Sequence, residues 1–269
     1  MRCIFCKEQS DNSRSVEHIL PESLGNKEHT LPKGVVCDSC NNYFATKIEK
    51  PFLEQPYFRS LRSRNRIEGK RNRIPTEQAL MKGGIVEIQP TDFGLSVIIE
   101  DTEIVKMVMN SKNGNIYIPA HFNPDPQNKI ISRFLGKVAI ELMISRVLQV
   151  EGWNEEIVNK EQLDSLRNYV RYGNSPQFWE YSERRIYAEE QRFIDPAKGF
   201  NEPYQILHEM ELIYTESFEM FLVIALLGLE FVINLANPSI DTYQNWLIKN
   251  NYESKLNQNE TRKKISFQK

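Results

Sequence analysis

The fold is decided by Cys3-Ile4-Phe5-Cys6 and Cys37-Asp38-Ser39-Cys40, two C-x-x-C pairs with 30 residues between them. Two thiolates three residues apart on a tight turn converge on one point, so each pair can hold one side of a tetrahedral zinc ion. Four unconnected buried cysteines would not need this spacing, and neither pair follows the strand-to-helix pattern typical of a redox dithiol. We therefore predict a structural Zn²⁺ bound by Cys3, Cys6, Cys37 and Cys40.

The composition is that of an ordinary globular protein. The chain has 269 residues, of which 40% are hydrophobic and 26% charged, enough to bury a core. This length predicts a small module plus a larger domain, or a single irregular unit. Because the first cysteine is the third residue, no room remains for a signal peptide, and we expect a reducing cytoplasm. The apolar stretch 220–229 is shorter than the roughly 20 residues of a membrane span, so no membrane association is expected.

The most specific motif lies between the cysteine pairs. It reads Glu17-His18-Ile19-Leu20-Pro21 and is followed by Leu24-Gly25, while Asn41 comes directly after Cys40. With these residues the sequence resembles the HNH endonucleases of the ββα-metal type, in the branch with C-x-x-C, E-H-I-x-P, L-G and C-x-x-C-N motifs. The resemblance covers about residues 3–50. It implies a two-stranded hairpin and a helix around a second, catalytic metal ion, usually Mg²⁺ or a similar divalent cation.

The resemblance also implies roles for three residues. His18 takes the position of the general base, and Glu17 and Asn41 take those of the ligands to the catalytic metal, with Asn42 as an alternative to Asn41. Hydrolysis of a phosphodiester needs a base with a pKa near neutral, which histidine supplies. It also needs a hard cation, which carboxylate and amide oxygens can hold.

The sequence departs from the family pattern in two places. The family's middle Asn, which orients the base, is expected before the second cysteine pair, but the stretch from His29 to Gly34 contains no Asn. A backbone carbonyl could orient the base instead, or His29 itself, although a surface position is the simpler interpretation of His29. A third ligand on the helix would fall near Phe44 and Ala45, neither of which binds metal.

A basic segment follows the module. Residues 51–74 contain seven Lys or Arg and two Asp or Glu, whereas the whole chain has a net charge of -2. Arginine donates two hydrogen bonds at once to phosphate oxygens and does so with little sequence preference. A solvated loop would have the same composition, but beside a nuclease module we predict nucleic-acid contact. The predicted contacts are Arg59, Arg62, Arg64, Arg66, Lys70, Arg71 and Arg73.

The remaining sequence predicts an α+β protein, with the zinc-stapled ββα module followed by a mixed domain of small antiparallel sheets and helices. Strands are predicted at 85–88, 95–99, 103–109, 116–118 and 204–214, and a hairpin over 220–236 turning at Gly228. Helices are predicted near the second cysteine pair and at 130–150, 160–172 and 243–250. The predicted domains are 1–50 (nuclease module), 51–75 (basic linker), 76–250 (recognition or sensing) and 251–269 (a polar, frayed tail).

Together these features predict a metal-dependent endonuclease that acts on DNA. A zinc-finger protein that binds nucleic acid without cleaving it and an RNA-directed nuclease are the alternatives. The layout resembles HNH proteins of bacterial defence and mobile elements, in which a further domain senses a signal or binds a partner. A homodimer is also expected, because one module cuts one strand.

Overall fold

The computed structural model describes residues 1–69, 71–111, 113–258 and 261–265. In this part of the chain it has mixed helices and small antiparallel sheets, which confirms the predicted α+β class. None of the described helices is both long and apolar enough to cross a bilayer. Two compact units are present. Unit 1 comprises the described residues of 1–20, 26–49 and 127–269, and unit 2 those of 21–25 and 50–126.

The N-terminal part of unit 1 has the predicted ββα order. Strand β1 (Glu17–His18) pairs antiparallel with β2 (Thr30–Leu31), and helix α1 (Asp38–Phe44) follows. A π-helical turn, Ala45–Glu49, extends α1. Phe44 and Ile48 are completely buried, as the helical spacing of these two residues requires.

The rest of unit 1 is built around one buried helix. Helix α5 (Lys129–Ser145) is buried along nearly its whole length and packs against the π-helical turn, the helix at Asp164–Tyr172 and two strands of the larger sheet. The other elements of this part, in chain order, are α6 (Trp153–Asn159), α7 (Asp164–Tyr172), β7 (Tyr181–Arg185), β8 (Arg192–Asp195), β9 (Phe200–Tyr204), β10 (His208–Tyr214), β11 (Met220–Leu226), β12 (Leu229–Asn234), α8 (Asp241–Lys249) and β13 (Lys263–Ile265).

Two antiparallel sheets complete unit 1. The larger has the strand order β10-β11-β12-β7, and the smaller has the order β13-β8-β9. Apolar side chains from the larger sheet pack against α8, with Phe221, Val223 and Tyr243 at the centre of this core. The hairpin β11-β12 confirms the prediction for 220–236. Residues 251–269 were expected to fray, but among the described ones β13 pairs with β8 and Leu256 is buried, so for these residues the expectation was wrong.

Unit 2 contains helices α2 (Lys50–Glu54) and α3 (Pro56–Arg64) and one sheet. The strands are β3 (Glu77–Met81), β4 (Gly84–Thr91), β5 (Gly94–Ile98) and β6 (Ile116–Tyr117), in the order β5-β4-β3-β6. Its core contains Ala79, Val86 and Ile88 from the sheet and Ile104 from helix α4 (Thr102–Met109).

Helix α4 corrects one prediction, because residues 103–109 were expected to be a strand. Asp101 caps the helix, and its carboxylate accepts hydrogen bonds from the backbone N–H groups of Glu103 and Ile104 at 2.8 and 3.3 Å. An Asp N-cap stabilises a helix start by roughly 1 kcal/mol. The apolar residues of the segment favour a strand, but the cap and the burial of Ile104 favour a helix.

Candidate active site and zinc centre

The four cysteines come together at one point. Cys3 and Cys6 lie on the N-terminal turn, and Cys37 is the N-cap of α1, which places Cys40 in the first turn of this helix. Their sulfur atoms all lie within 4.8 Å of one another, and the Sγ atoms of Cys6 and Cys37 are 3.6 Å apart. Tetrahedral zinc with Zn–S bonds of about 2.3 Å requires sulfurs about 3.8 Å apart. The group therefore fits a structural zinc ion.

The electrostatics of the four thiols also favour a cation. A hydrogen bond with Cys40 lowers the pKa of Cys3 to about 4, whereas burial raises the pKa of Cys6 to about 11. One thiolate is therefore stable, but each further thiolate adds a like charge at close range in a partly buried place. A bound Zn²⁺ supplies the positive charge that holds several thiolates together.

His18 lies on the short hairpin and is half-buried. Its partner in the ladder is Thr30, and Glu17 faces Leu31. Asp38 holds the segment before β1 against the start of α1, because its carboxylate accepts hydrogen bonds from the N–H groups of Arg14 and Ser15 and from the Ser15 hydroxyl. The bond from the Ser15 hydroxyl is the main cause of the lowered pKa of Asp38. The strand that carries His18 is thus tied to the helix that carries Cys40.

Asn26 is a residue of this site that the sequence analysis missed. Its buried side-chain amide donates hydrogen bonds to the carbonyls of Leu20 and His29, at 2.7 and 3.0 Å. Its amide oxygen accepts from the N–H groups of Glu28 and His29. The His29 carbonyl also accepts from Ile19 N–H, the first backbone bond beyond His18. Asn26 therefore fixes the hairpin loop, three residues before the stretch in which the sequence analysis expects an Asn.

Glu17, predicted as a metal ligand, binds a lysine. Its Oε1 lies 2.7 Å from Nζ of Lys137 on α5. The same ammonium is 2.8 Å from Glu49 Oε1 and 2.9 Å from Glu141 Oε2, and it donates to the His18 carbonyl at 3.0 Å. We call Lys137, Glu17, Glu49 and Glu141 the Lys137 cluster.

The Lys137 cluster keeps its lysine charged. Burial lowers the pKa of Lys137, but the neighbouring carboxylates outweigh burial and raise it well above its usual value. Burial also raises the pKa of Glu141 well above its usual value. The negative charges of Glu17 and Glu49, which share the same ammonium, raise it further. Lys137 belongs to no motif and is 119 residues from His18, so this contact could not be predicted from the sequence.

Asn41 lies near β1. Its side-chain amide nitrogen donates a hydrogen bond to the carbonyl of Val16, the residue before this strand, at 3.3 Å. Among the described residues, the four cysteines are the only group of three or more His, Cys, Asp or Glu side chains placed to hold a metal ion. Since Glu17 binds Lys137, this arrangement does not fit a divalent ion held by Glu17 and Asn41. The assignment of these two residues as ligands of a catalytic metal stays a prediction.

Two arginines of the basic segment make bonds within unit 2. Arg59 Nε donates to the Thr76 carbonyl at 2.6 Å, and Arg62 Nε donates to the Ser23 carbonyl at 2.8 Å. Burial is the main cause of the lowered pKa of Arg62. These contacts stabilise the fold around α3 and leave less of each guanidinium for phosphate.

Four other arginines of the segment are exposed, namely Arg64, Arg66, Arg71 and Arg73. Arg64 Nη1 donates to Ser60 Oγ at 2.7 Å, and Arg66 Nη1 forms an exposed ion pair with Asp92 at 2.9 Å. Exposed ion pairs are worth at most about 1 kcal/mol and exchange readily for a phosphate. Lys70, the seventh predicted contact, lies outside the described residues.

The comparison with known families agrees with this geometry. Residues 3–57, one fifth of the chain, match the family model described as HNH endonuclease. The match begins at the first cysteine and includes His18, Asn26, Cys40 and Asn41. No curated protein and no solved structure is significantly similar to the chain.

Proposed function

We propose that the protein hydrolyses phosphodiester bonds in DNA with His18 as the general base, on the premise that residues 3–57, which match the HNH endonuclease family, form its nuclease module. The single observation that carries the proposal is the combination of the matched module with a half-buried histidine on its central hairpin. Histidine is the side chain that most often acts as a general base in hydrolysis.

The zinc centre has a structural part in this proposal. Cys3, Cys6, Cys37 and Cys40 would hold Zn²⁺ with all four positions filled by sulfur, which is the arrangement of structural sites and leaves no position for water. The family generally uses a divalent metal for hydrolysis, and metal dependence belongs to the proposal. The sequence predicts Glu17 and Asn41 as its ligands, but Glu17 is engaged by Lys137, so the proposal assigns no ligand to this metal.

A plasmid assay tests the activity. We expect the protein to nick or linearise supercoiled plasmid in Mg²⁺ and to lose this activity with a chelator that leaves the zinc in place. His18→Ala should slow cleavage by about 100-fold or more, the usual contribution of a general base. His121→Ala, a half-buried histidine of unit 2, is the matched control. Cleavage that survives His18→Ala at the rate of the control would refute the assignment.

One observation favours a second function, a zinc protein that binds nucleic acid without cleaving it. Glu17 is engaged by Lys137 in the structure, and a module without its metal ligand would keep only its binding surface. The same assay decides between the two functions. Binding of DNA without cleavage in Mg²⁺, Mn²⁺ or Zn²⁺ would support this second function. Parallel RNA and DNA substrates test the choice of nucleic acid.

The exposed arginines supply the DNA contacts in our proposal. Each phosphate contact contributes about 0.9 to the slope of log K against log salt for duplex DNA. Replacing Arg64 and Arg66 together by Ala should therefore lower this slope by about 2 and weaken binding equally on all sequences. Replacing Arg146 and Lys249, two other exposed basic residues, is the matched control. An unchanged slope would remove Arg64 and Arg66 from the interface.

The wider setting of the activity is also part of the proposal. We infer a cytoplasmic protein that acts as a homodimer, because one active site cuts one strand. The region after the basic segment would bind a partner protein or a ligand. A role in bacterial defence or in a mobile element would suit this layout.

A further inference from the structure

Lys137 is the most unusual residue outside the predicted site. Its side chain is completely buried on α5, and its ammonium lies within 3.0 Å of four oxygen atoms. Those oxygens come from three elements of unit 1: Glu17 and His18 on β1, Glu49 on the π-helical turn, and Glu141 on α5 itself. An ammonium has only three N–H groups, so it is tightly surrounded and has little freedom to move.

A buried cluster of this kind is expected to contribute little to the free energy of unfolding. Removing charges from water costs several kcal/mol per ion, and apolar side chains of the same volume often stabilise a core better than a buried ion pair. The surrounding core of α5 is apolar, with Phe134, Val138 and Leu142 buried within five residues of Lys137. Lys137 is therefore better explained by a role in fixing the geometry of the neighbouring site than by a contribution to the free energy of unfolding.

The contacts of Lys137 reach the predicted base from two directions. The ammonium binds the carbonyl of His18 itself and the carboxylate of the residue before it. The first contact holds the backbone on the C-terminal side of the His18 Cα atom, and the second anchors the side chain of the residue on its N-terminal side. On the other side of the hairpin, Asn26 binds the His29 carbonyl that pairs with Ile19. The imidazole is therefore carried by a short strand that is held along its length.

We propose that Lys137 is a positioning residue of the nuclease site: its ammonium takes the cation position beside Glu17 and holds the backbone of His18, so that the imidazole keeps one orientation. This inference rests on the proposed role of His18 as the base. It also gives Glu17 a role through Lys137, which differs from the direct metal ligation that the sequence predicts. Helix α5, far from the module in sequence, becomes part of the active site.

A matched pair of variants tests the proposal without leaving several buried charges alone. The first is the double variant Glu49→Gln with Glu141→Gln, which keeps Lys137, Glu17 and the His18 carbonyl. The second adds Lys137→Met, so the two proteins differ only at the ammonium. The two glutamines remove two of the three carboxylates of the Lys137 cluster, so the triple variant keeps only the carboxylate of Glu17. Zinc content and thermal unfolding establish that each protein is folded.

Two measurements are made on the pair. The first is steady-state cleavage of a DNA oligonucleotide. We expect kcat of the triple variant to be at least about tenfold below that of the double variant, with KM unchanged within about twofold, because a misplaced reacting group lowers the rate and not substrate binding. The second is the ¹H–¹⁵N spectrum of the imidazole rings, assigned by loss of signals in His18→Ala. We expect the His18 signals to shift or broaden only in the triple variant.

Equal kcat values and identical His18 signals in the two variants would overturn the proposal. If the triple variant is not folded, Lys137→Arg in the double variant replaces it, because the larger planar head keeps the charge but cannot occupy the same position. A normal rate and spectrum with arginine would also overturn it. If the wild-type protein cleaves no nucleic acid, the proposed function fails, and the imidazole spectra still decide whether Lys137 positions His18.

Discussion

Asn26 shows how one polar side chain can determine a loop. All of its hydrogen-bonding groups are used on the backbone of residues 20–29, within a place that water does not reach. Removing it takes this partner from the buried Leu20 carbonyl and from the partly buried N–H groups of Glu28 and His29. Each such group costs roughly 1–3 kcal/mol.

We therefore expect Asn26→Ala to lower the free energy of unfolding by about 3 kcal/mol. Urea unfolding followed by circular dichroism measures the change. Asn12→Ala, at an exposed position of the N-terminal loop, serves as the control and should change stability by less than about 0.5 kcal/mol. Equal effects of the two substitutions would contradict the role given to Asn26.

Glu183 predicts a pH dependence of stability. Burial raises the pKa of this half-buried side chain on β7 to about 7, and the charge of Arg185 opposes the shift. Between the ordinary glutamate pKa, about 4.3, and pH 7, the folded protein holds the proton more strongly than the unfolded chain does. The contribution of Glu183 to the free energy of unfolding therefore decreases as the pH rises through this window.

Glu183→Gln should remove this decrease and make the protein more stable than wild type at pH 8, by about 2 kcal/mol. The difference should vanish below pH 4. Thermal unfolding from pH 4 to 8 measures it, and Glu202→Gln on the exposed strand β9 reports the effect of losing one surface charge. Parallel pH profiles of wild type and Glu183→Gln would show that Glu183 does not titrate in this window.

At the scale of elements, the hairpin β11-β12 depends on its turn. Leu227 and Gly228 both have positive φ, 48° and 79°, as a two-residue turn between twisted strands requires. A methyl group on Gly228 would overlap the Tyr187 carbonyl oxygen. A side chain at position 228 would therefore strain the backbone and displace Tyr187.

Gly228→Ala should consequently destabilise the protein by at least about 3 kcal/mol, the sum of backbone strain and overlap. Gly199→Ala provides the comparison. Gly199 also has positive φ, 83°, but a methyl group there would meet no described atom within 4 Å, so a loss of about 1 kcal/mol is expected. Denaturant unfolding of the two variants measures the difference, and similar losses would rule out the overlap with Tyr187.

The sequence predicted those elements whose apolar residues follow one period. Helix α5 and the hairpin β11-β12 were predicted, since Phe134, Val138 and Leu142 recur at helical spacing and the run 220–236 is apolar on both faces. Strands such as β7 were not, because Glu183, Arg184 and Arg185 carry no strand signal and pair only where β12 offers an edge. Residues 103–109 were predicted as a strand from their apolar residues alone, and the Asp101 N-cap, which favours a helix, did not enter that prediction.

For the site, the local contacts were predictable and the distant ones were not. The four cysteines and the position of His18 follow from spacing within 40 residues. Lys137 reaches Glu17 from 120 residues away, and one lysine in an amphipathic helix normally indicates a solvated face. Only the folding of α5 into unit 1 makes this lysine a buried partner of the hairpin.

At the scale of the whole molecule, the zinc centre joins the N-terminal turn to α1 within unit 1. We expect the purified protein to hold one zinc ion per chain by elemental analysis. Cys40→Ser should lose it and lower the thermal unfolding temperature by about 10 °C or more, because binding of a structural zinc is coupled to folding. Ser39→Ala, an exposed neighbour, is the control. Full zinc retention in Cys40→Ser would refute the four-sulfur site.

The burial of Lys137 has a consequence for any attempt to use the HNH module of this protein in a fusion for genome engineering. Residues 1–57 are continuous in sequence, and fusing them to an unrelated DNA-binding domain would be the simplest design. Such a chimera would lack α5, leaving Glu17 and Glu49 without their counter-ion and the apolar side of the π-helical turn bare to water. A functional fusion would need to include residues 129–145 together with the HNH module.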